Sequence, residues 1–379
     1  MKTIKRKLLG IVFKFNQLLW VRRKVPQIKD PKTILIAANM GLGNMLFFTP
    51  VIQNLQKGFP DAKLILLKGQ DQRIDELFES DFYDVLSVKF ADPSFLSLWL
   101  IIRKLRRMRI DIAFCNFISS TFYLNFILST AQIGTIIGHG TSHTYFNSYD
   151  IIYDISVPVN PSEHEIDRNL NLLKNAGLPA AEGKMFLNID KSVLLEVKKL
   201  VEQYELSKSS PLIGIAPGSY ANGWWKRWDR KNYVELIKKI SKRYSNSAFI
   251  LLGGKDDLEV SDLILGELKQ YNVLSLANKT SVKQLIALIS RCDLIIGNDT
   301  GPVHFASALN KPAICIWGPS YIQRAYLRHK KGINIWKNLP CSPCYTDSGT
   351  RKVLECDDRI CLSTISVDEV FAAVEQLIS

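Results

Sequence analysis

The sequence predicts an α/β protein built from two tandem doubly wound domains, each a parallel sheet with helices on both faces. Three observations carry this expectation. From residue 33 onward, short apolar runs alternate with amphipathic segments, the pattern of strands buried on both faces and joined by crossover helices. The alternation breaks at SKSSP, residues 207–211, and begins again with LIGIAPGS. A chain of 379 residues is also long enough to bury two cores of ordinary domain size.

In the first domain, TILIAA reads as a buried strand that turns at GLGN, residues 41–44, into a helix running through PVIQNLQKGF. AKLILL is the next strand, DQRIDELF a helix, and IDIAFCNF a third strand. ILSTAQIGTIIGHG and DISVPV add further strands, and EHEIDRNLNLLKNAG is a helix closed by Gly177. The helix VLLEVKKLVEQYEL then leads to the break.

The second domain continues from LIGIA through the helix NYVELIKKISKRY, the strand AFILLGG, a helix near LEVSDLILGELKQ and the short strand VLSLA. The helix SVKQLIALISRC, the strand DLIIG, the helix PVHFASAL and the strand AICIWG complete it. The expected segments are 1–32, 33–190, 208–340 and 341–379. Two such domains place a cleft at the carboxyl ends of their strands, where folds of this kind bind ligands.

Charge narrows the partners. Forty-nine Lys and Arg against 36 Asp and Glu give +13, which favours anionic ligands. Much of the excess lies in MKTIKRKLLGIVFKFNQLLWVRRK, residues 1–24, where apolar residues at helical spacing are ringed by Lys and Arg. This is a basic amphipathic helix, read as interfacial in preference to a secretory signal because Lys14 interrupts the apolar run and no small-residue cleavage site follows. Packing on its own domain is the plainer alternative. A second basic cluster, IIRKLRRMRI at 101–110, is either a solvated face or a membrane or phosphate contact. No stretch approaches the roughly 18 apolar residues of a membrane span, and no basic patch interleaved with aromatics suggests nucleic acid.

Of seven cysteines, Cys115, Cys292 and Cys315 fall in apolar segments and read as core. Cys341, Cys344, Cys356 and Cys361 form a CxxC followed by two more, compatible with a metal site, two disulfides or a reduced structural loop.

The sharpest chemical signal is DLIIGNDTGPVHFASALNKPAICIWGPS, residues 293–320. A strand ends at Gly297, Asn298 and Asp299 form the turn, and a helix opens at Thr300, Gly301 and Pro302. Its free N–H groups and the positive end of its dipole suit a phosphate, unless Asp299 or Thr300 caps it. A second loop, APGSYANGWWKRWDRKNY at 216–233, brings Ser219, Lys226 and Arg227 as diphosphate partners, with Trp228 read as an anchor of the loop. In LLGGKDD, Asp256 and Asp257 can reach a ribose hydroxyl, although capping of the next helix by Asp257 is the stronger reading. The turn at 41–43 is not GxGxxG, and Walker, zincin and nucleophile-elbow motifs are absent, which disfavours nicotinamide, P-loop and hydrolase chemistry.

These motifs resemble glycosyltransferase family 9, the lipopolysaccharide heptosyltransferases and their relatives, over nearly all of the chain from residue 33. The likeness rests on GLGNMLFFTPVIQNLQKGFPDAKL, APGS with KRW, LLGG, GNDTGPVHFASALNKPAICIWGPS and the CSPC loop. It implies a GT-B fold and inverting transfer of a sugar, typically heptose from ADP-heptose, to a glycolipid at the inner face of the cytoplasmic membrane, with neither metal nor cofactor. By position, Lys226, Ser219, Arg227, Asp257, Asp299, Thr300, Gly301 and His304 would hold the donor, and Gly43, Asn44, Glu163 and His164 the acceptor.

Where the family commonly has an aspartate taken as general base, this chain has Asn44, and an amide accepts no proton at neutral pH. Asn44 is left to orient the acceptor hydroxyl, Asp299 and Lys226 carry the remaining catalytic roles, and Asp299, Glu163 and His164 are the substitute bases to weigh. The alternatives are a sugar-nucleotide-binding paralogue with impaired catalysis and, below it, an epimerase on the same scaffold.

Overall fold

The computed structural model describes residues 10–11, 28–78, 83–116, 118–119, 121–140, 152–160, 162–181, 183–219, 221–344 and 356–378. The basic segment 1–24 therefore lies, apart from Gly10 and Ile11, outside the described residues. Among the described residues no helix is long and apolar enough to cross a membrane. The chain forms two compact units, Met1–Met185 and Phe186–Ser379.

The first unit runs β1 (Thr33–Ala38), α1 (Leu42–Gly58), β2 (Lys63–Gly69), β3 (Asp84–Val88), α2 (Phe95–Met108), β4 (Ile112–Cys115), α3 (Phe122–Thr130), β5 (Thr135–Gly140), β6 (Ile155–Pro158) and α4 (Glu165–Asn175). Its six strands are parallel in the order β3-β2-β1-β4-β5-β6. β1 is buried from Ile34 to Ala38, as its unbroken apolar run requires. α1 tolerates Pro50 because the Leu46 carbonyl, which loses the amide partner a proline cannot offer, accepts the Thr49 hydroxyl at 2.7 Å.

The second unit begins with α5 (Lys191–Gln203), followed by β7 (Leu212–Ala216), α6 (Arg230–Arg243), β8 (Ala248–Leu251), α7 (Leu258–Glu267), β9 (Val273–Ser275), α8 (Val282–Arg291), β10 (Leu294–Asn298), α9 (Gly301–Ala308), β11 (Ala313–Ile316), β12 (Gly332–Ile335), α10 (Ile360–Ser363) and α11 (Val367–Ile378). Its strands are again parallel, in the order β12-β11-β10-β7-β8-β9. Numbered within each unit, both sheets follow 3-2-1-4-5-6, the doubly wound order expected of a GT-B protein.

Three details differ from the sequence expectation. The helix read ahead of the break at 207–211, α5, falls in the second unit and packs on α8, with Lys283 paired to Asp190 at 2.6 Å and Gln284 bonded to Glu196 at 3.2 Å. Residues 71–78 form only a short 3₁₀ turn at Ile74–Leu77, and the strand Asp84–Val88, three of whose five side chains are exposed, supplies the sheet edge instead. The stretch ILST belongs to α3, whose Thr121 hydroxyl caps its first turn.

Candidate functional site

The strand order of the second unit brings the loops after β7 and β10 side by side. These are its first and fourth strands, between which the winding reverses, the position where such sheets bind ligands. They pair in register, with Ala216 opposite Gly297. Only glycine fits at 297, since a Cβ there would lie 2.7 Å from the Ala216 Cβ and 2.8 Å from its carbonyl oxygen.

Asn298 locks the two loops together. It is fully buried, and its amide donates to the carbonyls of Pro217 at 2.8 Å and Gly218 at 3.1 Å. Its side-chain oxygen accepts from the Trp228 amide at 2.9 Å and the Tyr233 hydroxyl at 3.0 Å. Burial holds the Tyr233 phenol far above its ordinary pKa, so it stays a donor. All four hydrogen-bonding positions of one side chain are thus used inside the core. Sequence reasoning placed Asn298 in the turn but gave it no role. The available signal was a polar residue ending an otherwise apolar buried strand, which must find partners. Trp228 is the anchor expected of it: its indole N–H donates to the Ile365 carbonyl at 3.0 Å, and its ring meets Tyr233 edge to face.

The next residue, Asp299, gathers two of the predicted side chains. Lys226 Nζ lies 2.6 Å from one of its oxygens and His304 Nε2 lies 3.1 Å from the other. The lysine and aspartate side chains are 13% and 12% exposed, so the pair is largely shielded from solvent. Burial by itself would raise the Asp299 pKa, but the Lys226 charge and the His304 hydrogen bond outweigh it and hold the carboxyl well below the usual carboxylate range. Asp299 is therefore ionised at neutral pH, and it holds the lysine ammonium and His304 of α9. A carboxylate held so acidic is a poor acceptor of a proton, which weighs against its use as the substitute base.

α9 opens without a side-chain cap. The Thr300 hydroxyl donates to the Asn298 carbonyl at 3.2 Å, and Asp299 faces Lys226 and His304 instead of the helix amides. The first-turn N–H groups thus keep their capacity for an external anion, next to Asp299 and the Lys226 ammonium it holds. A Cβ at Gly301 would make only ordinary contacts with Phe305 at 3.6 Å and beyond, so nothing within the protein demands glycine there. Close approach of a ligand would.

Three expected donor contacts are engaged in building the loop. Ser219 is buried, its hydroxyl donating to the Gly223 carbonyl at 2.7 Å and accepting from Arg227 Nε at 3.1 Å. Arg227 also donates to the carbonyls of Ser219 at 3.0 Å and Asp256 at 3.1 Å. Asp257 accepts from the Gly254 amide at 2.7 Å and fills the space over Gly218, where a Cβ would come within 1.8 Å of its carboxylate. Burial raises the Asp257 pKa first, with the Gly254 amide and Arg227 opposing. These residues tie the loops after β7 and β8 together, with Asp257 holding the turn at Gly254.

In the first unit, Gly43 and Asn44 lie on the first turn of α1, directly after β1, with both half-exposed. Added Cβ atoms at Gly41 and Gly43 would meet nothing within 4 Å. α4 packs on α1, with Asn169 bonded to the Phe47 carbonyl at 3.1 Å and His164 edge-on to the Phe47 ring. His164 caps α4 by accepting the Ile166 amide at 3.3 Å and is 3% exposed, while Glu163 accepts from Asn171 at 3.0 Å. His164 thus lies against Phe47, one turn along α1 from Asn44, while Glu163 is tied to α4.

Cys115, Cys292, Cys315 and Cys361 are buried, Cys344 and Cys356 half-buried and Cys341 exposed. Burial pushes the Cys361 thiol up to about 11, and the nearby Cys344, Cys356 and Cys341 push the same way. Among the described residues no three His, Cys, Asp or Glu side chains are arranged to hold a metal ion.

Comparison with known proteins gives a consistent picture. The sequence model of Glycosyltransferase family 9 (heptosyltransferase) matches residues 99–353. The chain is 38% identical over 122 residues to lipopolysaccharide heptosyltransferase 2 of Escherichia coli K12, a match covering 31% of this chain and about a third, 34%, of that protein. It is 25% identical over 346 residues to lipopolysaccharide heptosyltransferase 3 of the same organism, covering 89% of this chain and 95% of that one. Among solved structures, a family 9 glycosyl transferase from Veillonella parvula superposes with a TM-score of 0.74 at 20% identity, covering 93% and 98% of the two chains. ADP-heptose LPS heptosyltransferase II of E. coli follows with a TM-score of 0.70 at 20% identity, covering 92% and 98%.

Proposed function

Since this chain belongs to glycosyltransferase family 9, we propose that it transfers a sugar, heptose or another, from a nucleoside-diphosphate donor to a lipopolysaccharide or other cell-surface glycan acceptor. The observation that carries this reading is the uncapped first turn of α9 beside the buried Lys226–Asp299 pair, at the position where the doubly wound sheet offers its binding site. A diphosphate seated there meets amide donors, the helix dipole and the lysine ammonium. These stabilise the negative charge that grows on the diphosphate as the glycosidic bond breaks. Asp299 and His304 position the ammonium, and Asn298 holds the two loops in register.

In this reading transfer is inverting and metal-independent. The acceptor oxygen attacks the anomeric carbon from the side opposite the departing diphosphate, and charge on the leaving group is met by protein donors. Gly43 and Asn44 belong to the acceptor side, with Asn44 orienting the acceptor hydroxyl. Its proton passes to solvent or to a group other than Asn44, because an amide takes none. General-base help is worth roughly 100 to 10,000-fold, so positioning and phosphate stabilisation leave a slower but working enzyme. The protein acts at the cytoplasmic face of the membrane, with the basic segment 1–24 in contact with anionic lipid.

Asn44 also motivates the second reading, a sugar-nucleotide-binding paralogue with impaired catalysis. A panel of nucleotide sugars tested by thermal shift, with Lys226→Met as control, examines donor binding; no stabilisation by any donor refutes both readings. Glycosyl transfer by the wild-type protein excludes the impaired paralogue. Donor binding without transfer, restored in Asn44→Asp, establishes it.

A further inference from the structure

The helix α2 has a second amphipathic face that the sugar-transfer reading does not use. Leu98, Ile101, Ile102 and Leu105, spaced three and four residues apart, are buried in the core of the first unit. Leu96 and Leu100 lie on the opposite side, flanked by Trp99 and Phe95, and the four are 64%, 51%, 52% and 54% exposed. These four large apolar side chains form two turns of one stripe. Continued along the helix, the stripe becomes cationic, with Arg103, Lys104 and Arg107 all exposed. Arg103 lies over the Trp99 ring at 5.0 Å, which joins the apolar and basic halves. Arg106, by contrast, donates to the Thr130 carbonyl at 2.8 and 3.0 Å and belongs to the fold.

Between this helix and the edge strand β3 lies a groove of about 390 Å³ lined by Ser87, Lys89, Ser97, Leu100 and Lys104 among others. It opens where the apolar part of the stripe gives way to the basic part. An aromatic and aliphatic patch, a row of cations at one end and a lysine-lined polar groove beside it are complementary to one kind of surface: acyl chains under a layer of anionic headgroups. A solvated basic face would not leave Phe95, Leu96, Trp99 and Leu100 together in water.

We propose that the outer face of α2 docks on an anionic lipid bilayer, with Trp99, Leu96 and Leu100 entering the headgroup–acyl boundary, Arg103 and Arg107 contacting lipid phosphates, and Lys104 with Lys89 receiving a headgroup in the groove. This deepens the peripheral-membrane part of the proposed function and rests on it, while residing on residues distinct from segment 1–24. Two consequences follow. The first unit is held with a defined face toward the membrane, and the basic cluster at 101–110 acquires a role as part of an interface.

The test uses the full-length protein and vesicles of phosphatidylcholine alone or with phosphatidylglycerol at about 30%, a content at which each basic residue near the surface adds to binding. Replacing Arg103, Lys104 and Arg107 together by glutamine is expected to weaken binding to the anionic vesicles about 100-fold, with no comparable change on neutral ones. With acyl-brominated phosphatidylcholine in the same mixture, Trp99→Phe is expected to lose about half of the quenching seen in the wild type, because interfacial tryptophan lies within reach of the bromines. Unchanged circular dichroism and elution volume keep both variants interpretable. Failure of the wild type to bind any vesicle overturns the membrane reading as a whole. Binding with equal quenching in Trp99→Phe and equal affinity in the glutamine variant overturns the α2 face alone. A second copy or segment 1–24 covering this face gives that same result.

Discussion

Replacing Asp299 by asparagine, Lys226 by methionine, and both together measures how far the site depends on its buried ion pair. At 2.6 Å and an effective dielectric of about 20, the attraction amounts to about 6 kcal/mol before desolvation is subtracted. Removing either partner leaves the other charge nearly buried, so each single variant is expected to lower the unfolding free energy by about 3–5 kcal/mol. The double variant leaves a neutral pair and should cost less than the sum of the singles by at least about 2 kcal/mol. Urea unfolding followed by fluorescence and far-ultraviolet circular dichroism gives the energies. Hydrogen exchange over 297–308 shows that the loss is local to the turn and α9. The Asp299 carboxyl is held below its unfolded pKa of about 3.9, so this stabilisation is present at pH 7 and fades only as pH falls through the acid range below about 4. Single losses under about 1 kcal/mol that simply add would show a solvent-screened pair and refute the reasoning.

Three further outcomes are expected. Gly301→Ala should fold with nearly wild-type stability, since the added methyl meets only ordinary contacts, yet weaken nucleotide-sugar binding at least about tenfold by crowding the first turn of α9; calorimetric titration beside a thermal melt separates the two effects. Asn298→Leu strands the amide of Trp228, the hydroxyl of Tyr233 and two carbonyls, and should cost about 3–5 kcal/mol in urea unfolding. Burial pushes His139 down to about 4, with its bond to the Arg168 carbonyl opposing, so between pH 6.5 and 4 the unfolded chain binds the extra proton and stability falls by about 3 kcal/mol in total. Unfolding curves at pH 7 and 4.5 check this, and His139→Asn should flatten the difference.

Much of this architecture was legible because a buried parallel strand has no polar face to disguise it. TILIAA, AKLILL, LIGIA, AFILL, DLIIG and AICIW all became strands, and the Gly-Asn-Asp-Thr-Gly turn opened a helix as its proline and glycine suggested. The edge strand Asp84–Val88 was not legible, because three of its five residues face solvent and its apolar run is broken. The helix α5, left between the two expected domains, reads equally well as the last helix of one unit or the first of the next; only its packing on α8 decides.

At the site, sequence identified the side chains better than their work. Lys226, Asp299 and His304 do meet, though they are 73 and 5 residues apart in pairs. Ser219, Arg227 and Asp257, expected at the ligand, also bond within the protein. Their engagement with Gly223, Asp256, Gly254 and one another depends on distances that spacing does not encode. Asn298, which holds the loops, drew no functional attention for the same reason: its importance lies in being satisfied.

Mass spectrometry of acceptor glycolipid incubated with the purified full-length protein and a panel of nucleotide sugars tests the central claim most directly. The account predicts that one donor gives a product heavier by a single glycosyl residue, that Lys226→Met abolishes this product, and that Asn44→Asp forms it faster. A donor that binds without transfer by wild-type protein, or transfer that survives Lys226→Met undiminished, would contradict it.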